Sequence, residues 1–161
     1  MAWIAGAVGG ATGVFMFLSR QWTLTLKNNS DVSLLPAGTS ESSGSLRSPL
    51  VEISPGKTEE FIWKKTTMSE AGAVGAVHFK IGDTGKFFTV FGCIPMNMSY
   101  FQPGCNVFVG DRKPSADDLE KGENGCFHML DAGQFGLEYG CKFTISNMGK
   151  ADFIVEFNYT S

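Results

Sequence analysis

Gln21-Trp22-Thr23-Leu24-Thr25-Leu26-Lys27 decides the fold class. Trp22, Leu24 and Leu26 alternate with polar side chains, which is the period of a strand with one face buried and one face wet. The same period returns near the end of the chain, where Phe153, Val155 and Phe157 oppose Ile154, Glu156 and Asn158. Between them lie further strand candidates at Leu50–Ile53, Glu60–Thr66, Ala73–Ile81, Phe87–Ile94, Asn106–Val109 and Cys141–Ser146. Turn chemistry separates them at Ser54-Pro55-Gly56, Gly82-Asp83-Thr84-Gly85, Pro103-Gly104 and Asn147-Met148-Gly149. Many short strands at near-regular spacing predict a mainly β domain, a sandwich or a barrel. One short helix is expected, capped by Ser115, with Asp118 three residues on and Gly122 closing it.

The 161 residues fit one domain with one core. A composition that is 43% hydrophobic, with 14 phenylalanines, excludes a disordered chain. A net charge of −3, with 18% charged residues, argues against a nucleic-acid partner and against simple electrostatic docking on anionic lipid. The four cysteines, Cys93, Cys105, Cys126 and Cys141, form no C-x-x-C pair. They allow three disulfide pairings or none.

Ahead of the first strand, Ala2–Leu18 carries no charge. Four uses fit it: a signal peptide without its basic region, a short transmembrane anchor, an element of the core, or a helix stored against the domain and released into lipid. Trp3, Ile4, Ala7, Val8, Ala11 and Phe15 recur at helical spacing. Gly6 and Gly10, like Gly9 and Gly13, form small-x-x-x-small pairs that let helices approach closely in lipid. In water, four glycines make a poor isolated helix, each costing roughly 1 kcal/mol relative to alanine. The expected division is therefore a membrane-insertable segment, 1–20, and a β domain, 21–161. Trp3, Ile4, Val8, Phe15 and Leu18 are the inserting side chains, and Gly6, Gly10 and Gly13 the helix-packing ones.

No catalytic chemistry is readable, no metal motif is present and no cofactor is expected. His78 sits in an apolar strand and reads as core or strand face. Cys126 and His128 would share one face of a strand, but no third group orients them. Asn28, Asn97 and Asn158 each open a glycosylation triplet, relevant to a secreted chain. The stretch from Pro95 to Gly104 places Met96, Met98, Tyr100 and Phe101 between proline and glycine. Exposed, such a cluster marks a binding surface, and tyrosine suits a lipid interface.

Several pieces in order resemble the actinoporins, pore-forming toxins of sea anemones, and their actinoporin-like relatives. They are Ala5-Gly6-Ala7-Val8, Ser19-Arg20, Asn29-Ser30, Ser43-Gly44-Ser45, Pro55-Gly56-Lys57, Ala71-Gly72-Ala73-Val74-Gly75, Ile94-Pro95, Tyr100-Phe101, Asn106-Val107, Lys121-Gly122-Glu123-Asn124-Gly125 and Met148-Gly149-Lys150-Ala151. The resemblance implies a compact β-sandwich flanked by short helices, with an apolar N-terminal helix. It implies no enzyme but a secreted cytolysin. Such a protein binds membrane lipid, sphingomyelin above all, forms a homo-oligomer on the target cell membrane and inserts its N-terminal helices as a pore. Carried over by position, Ser43, Val74, Cys93, Pro95 and Phe101 fall in the headgroup pocket, and Met98 and Tyr100 contact the membrane. The chain departs from the family between Ala116 and Gly122, where it has no tyrosine. It also has no acidic residue in Ala2–Leu18. The alternative is a non-lytic lipid- or glycan-binding module on the same sandwich.

Overall fold

The computed structural model describes residues 19–67, 71–96, 104–116, 138–142 and 149–159, with backbone only for 138–142. These residues form strands β1 (Gln21–Asn28), β2 (Leu34–Ser43), β3 (Ser45–Leu46), β4 (Thr58–Lys64), β5 (Ala73–Ile81), β6 (Phe87–Ile94), β7 (Gly104–Gly110), β8 (Glu138–Lys142) and β9 (Lys150–Phe157). One sheet has the order β3-β4-β1-β9-β8 and the other β2-β5-β6-β7. All pairings are antiparallel except that of β1 with β9.

The alternation read from the sequence is what closes the two sheets on each other. Trp22, Leu24 and Leu26 of β1, Phe61 and Trp63 of β4 and Phe153, Val155 and Phe157 of β9 face one way. They meet Val77, Phe79 and Ile81 of β5, Phe88 and Val90 of β6 and Val107 and Val109 of β7. The fold is a mainly β sandwich. The chain crosses between sheets at Gly44, which separates β2 from β3 with φ +79. A Cβ there would collide with the Lys64 carbonyl.

β5 and β6 have the bounds expected from sequence. Elsewhere the strands depart from expectation. Leu50–Ile53 forms no strand; Ile53 makes only an isolated bridge to Leu34, exchanging backbone bonds of 2.9 and 3.0 Å. β2 was not expected, because Pro36-Ala-Gly-Thr-Ser-Glu-Ser-Ser43 has no apolar period. It is an edge strand, bulged twice and held by pairing with β5, so its own propensity counts for little. β8 starts at Glu138, ahead of the expected Cys141, and residues 143–148 lie outside the described set.

Asn28 does not stand ready for a glycan. It is fully buried and donates to the carbonyls of Val32 and Ile53, both at 2.8 Å, while accepting from Ser30. The segment Ala2–Leu18 and the expected flanking helices lie outside the described residues, save Ser115 and Ala116 of the expected short helix.

Candidate functional site

Strands β5 and β6 bury both of their faces. Beyond the core between the sheets, Val74, Ala76, Phe91, Cys93 and Ala116 form a second apolar cluster on the outer side of the four-stranded sheet. Three of the four described headgroup positions belong to one register row there. Ser43 lies opposite Val74, and Val74 opposite Cys93. Pro95 follows two residues beyond Cys93, just past the end of β6. Val74 and Cys93 are 6% and 7% exposed, so the row is a nearly closed apolar floor with the half-buried Ser43 at its rim. Phe101, Met98 and Tyr100 lie outside the described residues. So do Trp3, Ile4, Val8, Phe15, Leu18, Gly6, Gly10 and Gly13.

The row rests on a stiff base. Gly75 and Gly92 face each other in the next register position. Beneath them the rings of Trp22 and Trp63 stack with centroids 5.4 Å apart and planes 5° apart. A Cβ on Gly75 would fall inside the Trp63 ring, and one on Gly92 would lie 2.5 Å from the Trp22 ring. The two glycines are therefore demanded by the stacked indoles, not by turns. Trp63 Nε1 also donates to the Ser43 carbonyl at 3.0 Å, fixing the rim of the row. Trp22 Nε1 is buried and has no hydrogen-bond partner among the described residues.

Arg20 holds the other end. It is 6% exposed and donates only to backbone carbonyls: Nε to Pro95 at 3.1 Å, Nη2 to Met96 at 2.8 Å and Nη1 to Ser19 at 2.8 Å. Gly72 packs against the backbone of Ile94, Pro95 and Met96, where a Cβ would collide with the Ile94 carbonyl oxygen. Gly149, with φ +67, packs against Arg20 itself. One guanidinium thus ties the start of β1 to the end of β6 that carries Pro95. Burial pushes its pKa below the ordinary value. Lys65, whose amide donates to the Arg20 carbonyl at 3.0 Å, is pushed down by burial and then by the Arg20 charge.

A second row, Ser40, Ala76, Phe91 and Asn106, runs beside the first. The Ala116 amide donates to Ser40 Oγ at 2.8 Å, laying the chain after β7 over it. His78 sits farther along the same face. It is 4% exposed, with Nδ1 2.7 Å from Thr89 Oγ1. Burial, with Lys113 adding to it, lowers its pKa to about 4, so it is neutral at physiological pH. Cys93, a free thiol, faces this outer cluster, and Cys105 faces the inner core.

Sequence reasoning missed Arg20, Phe91 and Asn106 as parts of this end. Phe91 and Asn106 lie in strands apolar on both faces, where alternation carries no signal. Arg20 read as the close of the apolar run, suited to a membrane interface, whereas it is buried and its partners are 75 and 76 residues away.

No family model matches the chain. Among curated proteins it is 34% identical to Hydra actinoporin-like toxin 1 of Hydra vulgaris over 139 residues, 86% of this chain and 74% of that one. It is 31% identical to Hydra actinoporin-like toxin 3, over 86% of this chain and 87% of that one. Among solved structures, the lipid-binding protein Nakanori superposes with a TM-score of 0.66 at 15% identity, covering 86% of this chain and 71% of its own. RahU superposes with 0.55 at 8%, covering 88% and 96%. These two likenesses support the sandwich alone. By its similarity to the toxins over most of its length, the chain is not an enzyme but a member of the actinoporin-like toxin family.

Proposed function

We propose that the chain is a secreted pore-forming cytolysin, in which residues 21–161 bind membrane lipid and residues 1–20 enter the bilayer. The observation that carries this reading is the junction at Arg20. The apolar segment Ala2–Leu18 runs into Arg20, and Arg20 is bonded to the strand end bearing Pro95, beside the row of Ser43, Val74 and Cys93. The proposed inserting segment and the proposed headgroup row therefore leave the sandwich at one end. Phe101 completes the headgroup site, and Met98 and Tyr100 reach the interface. Trp3, Ile4, Val8, Phe15 and Leu18 enter lipid, while Gly6, Gly10 and Gly13 pack helices of a homo-oligomer. Family membership supports the toxic role.

The test is dye release from vesicles with and without sphingomyelin. Leakage is expected from the full chain, and bound but silent protein after deletion of Ala2–Leu18. Equal leakage from the truncated chain would show that another element inserts. No leakage from the full chain in any lipid mixture would overturn the lytic reading.

A second reading is favoured by one observation. The candidate row is closed and apolar, and Ala116–Gly122 brings no tyrosine to hold a choline-type cation. A non-lytic lipid- or glycan-binding module on this sandwich would pellet with vesicles, or bind a glycan array, without causing leakage. Nakanori, a lipid-binding protein, has the same fold.

A further inference from the structure

A net charge of −3 hides how the charges are sorted along the sandwich. Lys64 and Lys150 flank Gln21 in the terminal register row of the five-stranded sheet. Arg47 follows β3 with its amide bonded to the Ile62 carbonyl, and its Nη2 lies 3.4 Å from the Lys65 carbonyl. Lys65 is bonded in turn to the backbone of Arg20, and Arg20 to Pro95. Five cations thus gather at the end that carries Ser43, Val74, Cys93 and Pro95. The carboxylates of the described residues at this end are Glu41, opposite Gly75, and Asp152, opposite Thr23.

The ion pairs Lys27–Glu156 and Lys86–Asp111 lie at the opposite end. Arg47, Lys64 and Lys150 are exposed and form no ion pair among the described residues. Arg20 and Lys65 stand buried behind them, where low dielectric strengthens their field. Burial, and after it the nearby Arg20 charge, lowers the pKa of Lys65.

We infer that this end of the sandwich is a docking face for a bilayer carrying anionic phospholipid, with Arg47, Lys64 and Lys150 as its surface charges. The inference deepens the lipid-binding part of the proposed function and rests on it. It also reverses what composition implied: an acidic chain can still present a basic end, and only the end near lipid matters within a Debye length of about 8 Å.

Each exposed cation near an anionic leaflet is worth roughly fivefold in partitioning. The experiment compares two matched pairs in the full chain, Lys64→Gln with Lys150→Gln, and Lys57→Gln with Lys80→Gln at the opposite end. All four lysines are exposed, so folding is little affected. Co-pelleting is measured on phosphatidylcholine vesicles with and without phosphatidylserine, at low and high salt. The expected result is tighter binding to phosphatidylserine vesicles, weakened by salt. The Lys64 and Lys150 pair should lose about twenty-five-fold there, and the Lys57 and Lys80 pair should lose little.

Equal losses from both pairs, or no preference for phosphatidylserine, would overturn the inference. Capture by heparin-coated beads without binding to phosphatidylserine vesicles would overturn it too, in favour of a sulfated glycan. Dye release read on the same vesicles separates the two claims. Lysis of neutral vesicles without charge preference sinks this inference and leaves the cytolysin reading standing. Charge-dependent binding without leakage does the reverse.

Discussion

Replacing Arg20 by methionine should loosen one end of the sandwich and leave the rest intact. Methionine keeps the unbranched stem but removes three charge-assisted hydrogen bonds. Such bonds contribute about 1.5–3 kcal/mol each. The Ser19 carbonyl is a neighbour in sequence and rehydrates easily, so two bonds matter, a gross loss of about 3–6 kcal/mol. Against this, the guanidinium no longer has to be held out of water, and its lowered pKa shows that this holding is unfavourable. The net loss should be about 2–4 kcal/mol, or roughly 5–15 °C in melting temperature for a chain of this size.

The distribution of the loss is more informative than its total. Arg20 bonds Pro95 and Met96, so exchange of the Cys93 and Ile94 amides should accelerate well beyond that of Val107 or Phe79. Arg20→Lys should fall between, because an ammonium keeps the charge but lacks the fork that spans two carbonyls. Urea melts would give the total and native-state hydrogen exchange the distribution. An unchanged melt, or protection lost evenly across both sheets, would refute the idea that Arg20 is the strut of this end.

Two further outcomes follow from the buried polar groups. Trp63→Phe should cost about 1–3 kcal/mol more than Trp22→Phe in urea melts, because it strands the Ser43 carbonyl while Trp22→Phe removes an N–H with no partner among the described residues; equal costs would contradict this. His78 is neutral in the fold, with a pKa lowered to about 4, and takes a proton in the unfolded chain near 6.5, so acid favours unfolding between those values. At about 1.4 kcal/mol per unit the loss approaches 3 kcal/mol by pH 4 and levels off below it. His78→Gln should flatten that limb of the stability curve, and a variant with the wild-type profile would assign it to other groups.

The sandwich was legible because its central strands each carry a clear apolar pattern over their length. β1 and β9 show the alternation openly, and β5 and β6 show continuous apolar runs bounded by Gly and Pro. β2 was illegible because an edge strand facing water needs no apolar period; its pairing with β5 is decided by the partner. For the candidate row, the resemblance picked out Ser43, Val74 and Cys93 one by one. Their adjacency is a matter of register among three strands, which no local pattern encodes. No local pattern gives a reason for Gly75 and Gly92, and only the stacked indoles beneath them explain why side chains are excluded there.

Those same glycines bear on how the site works. Gly75 and Gly92 over the tryptophan stack, the Trp63 bond to Ser43 and the Arg20 bonds to Pro95 and Met96 each remove a degree of freedom from the candidate row. A surface already ordered loses little conformational entropy when a ligand meets it, so affinity there depends on fit and charge rather than on induced ordering. A sandwich end held this tightly is a poor source of large conformational change. In the proposed reading, the rearrangement for membrane entry comes from the segments joined to this end, and Arg20, which follows Ala2–Leu18 in the chain and bonds the end of β6, joins the two. A change that frees Arg20 should thus alter insertion and headgroup binding together, whereas a change confined to Ala2–Leu18 should alter insertion alone.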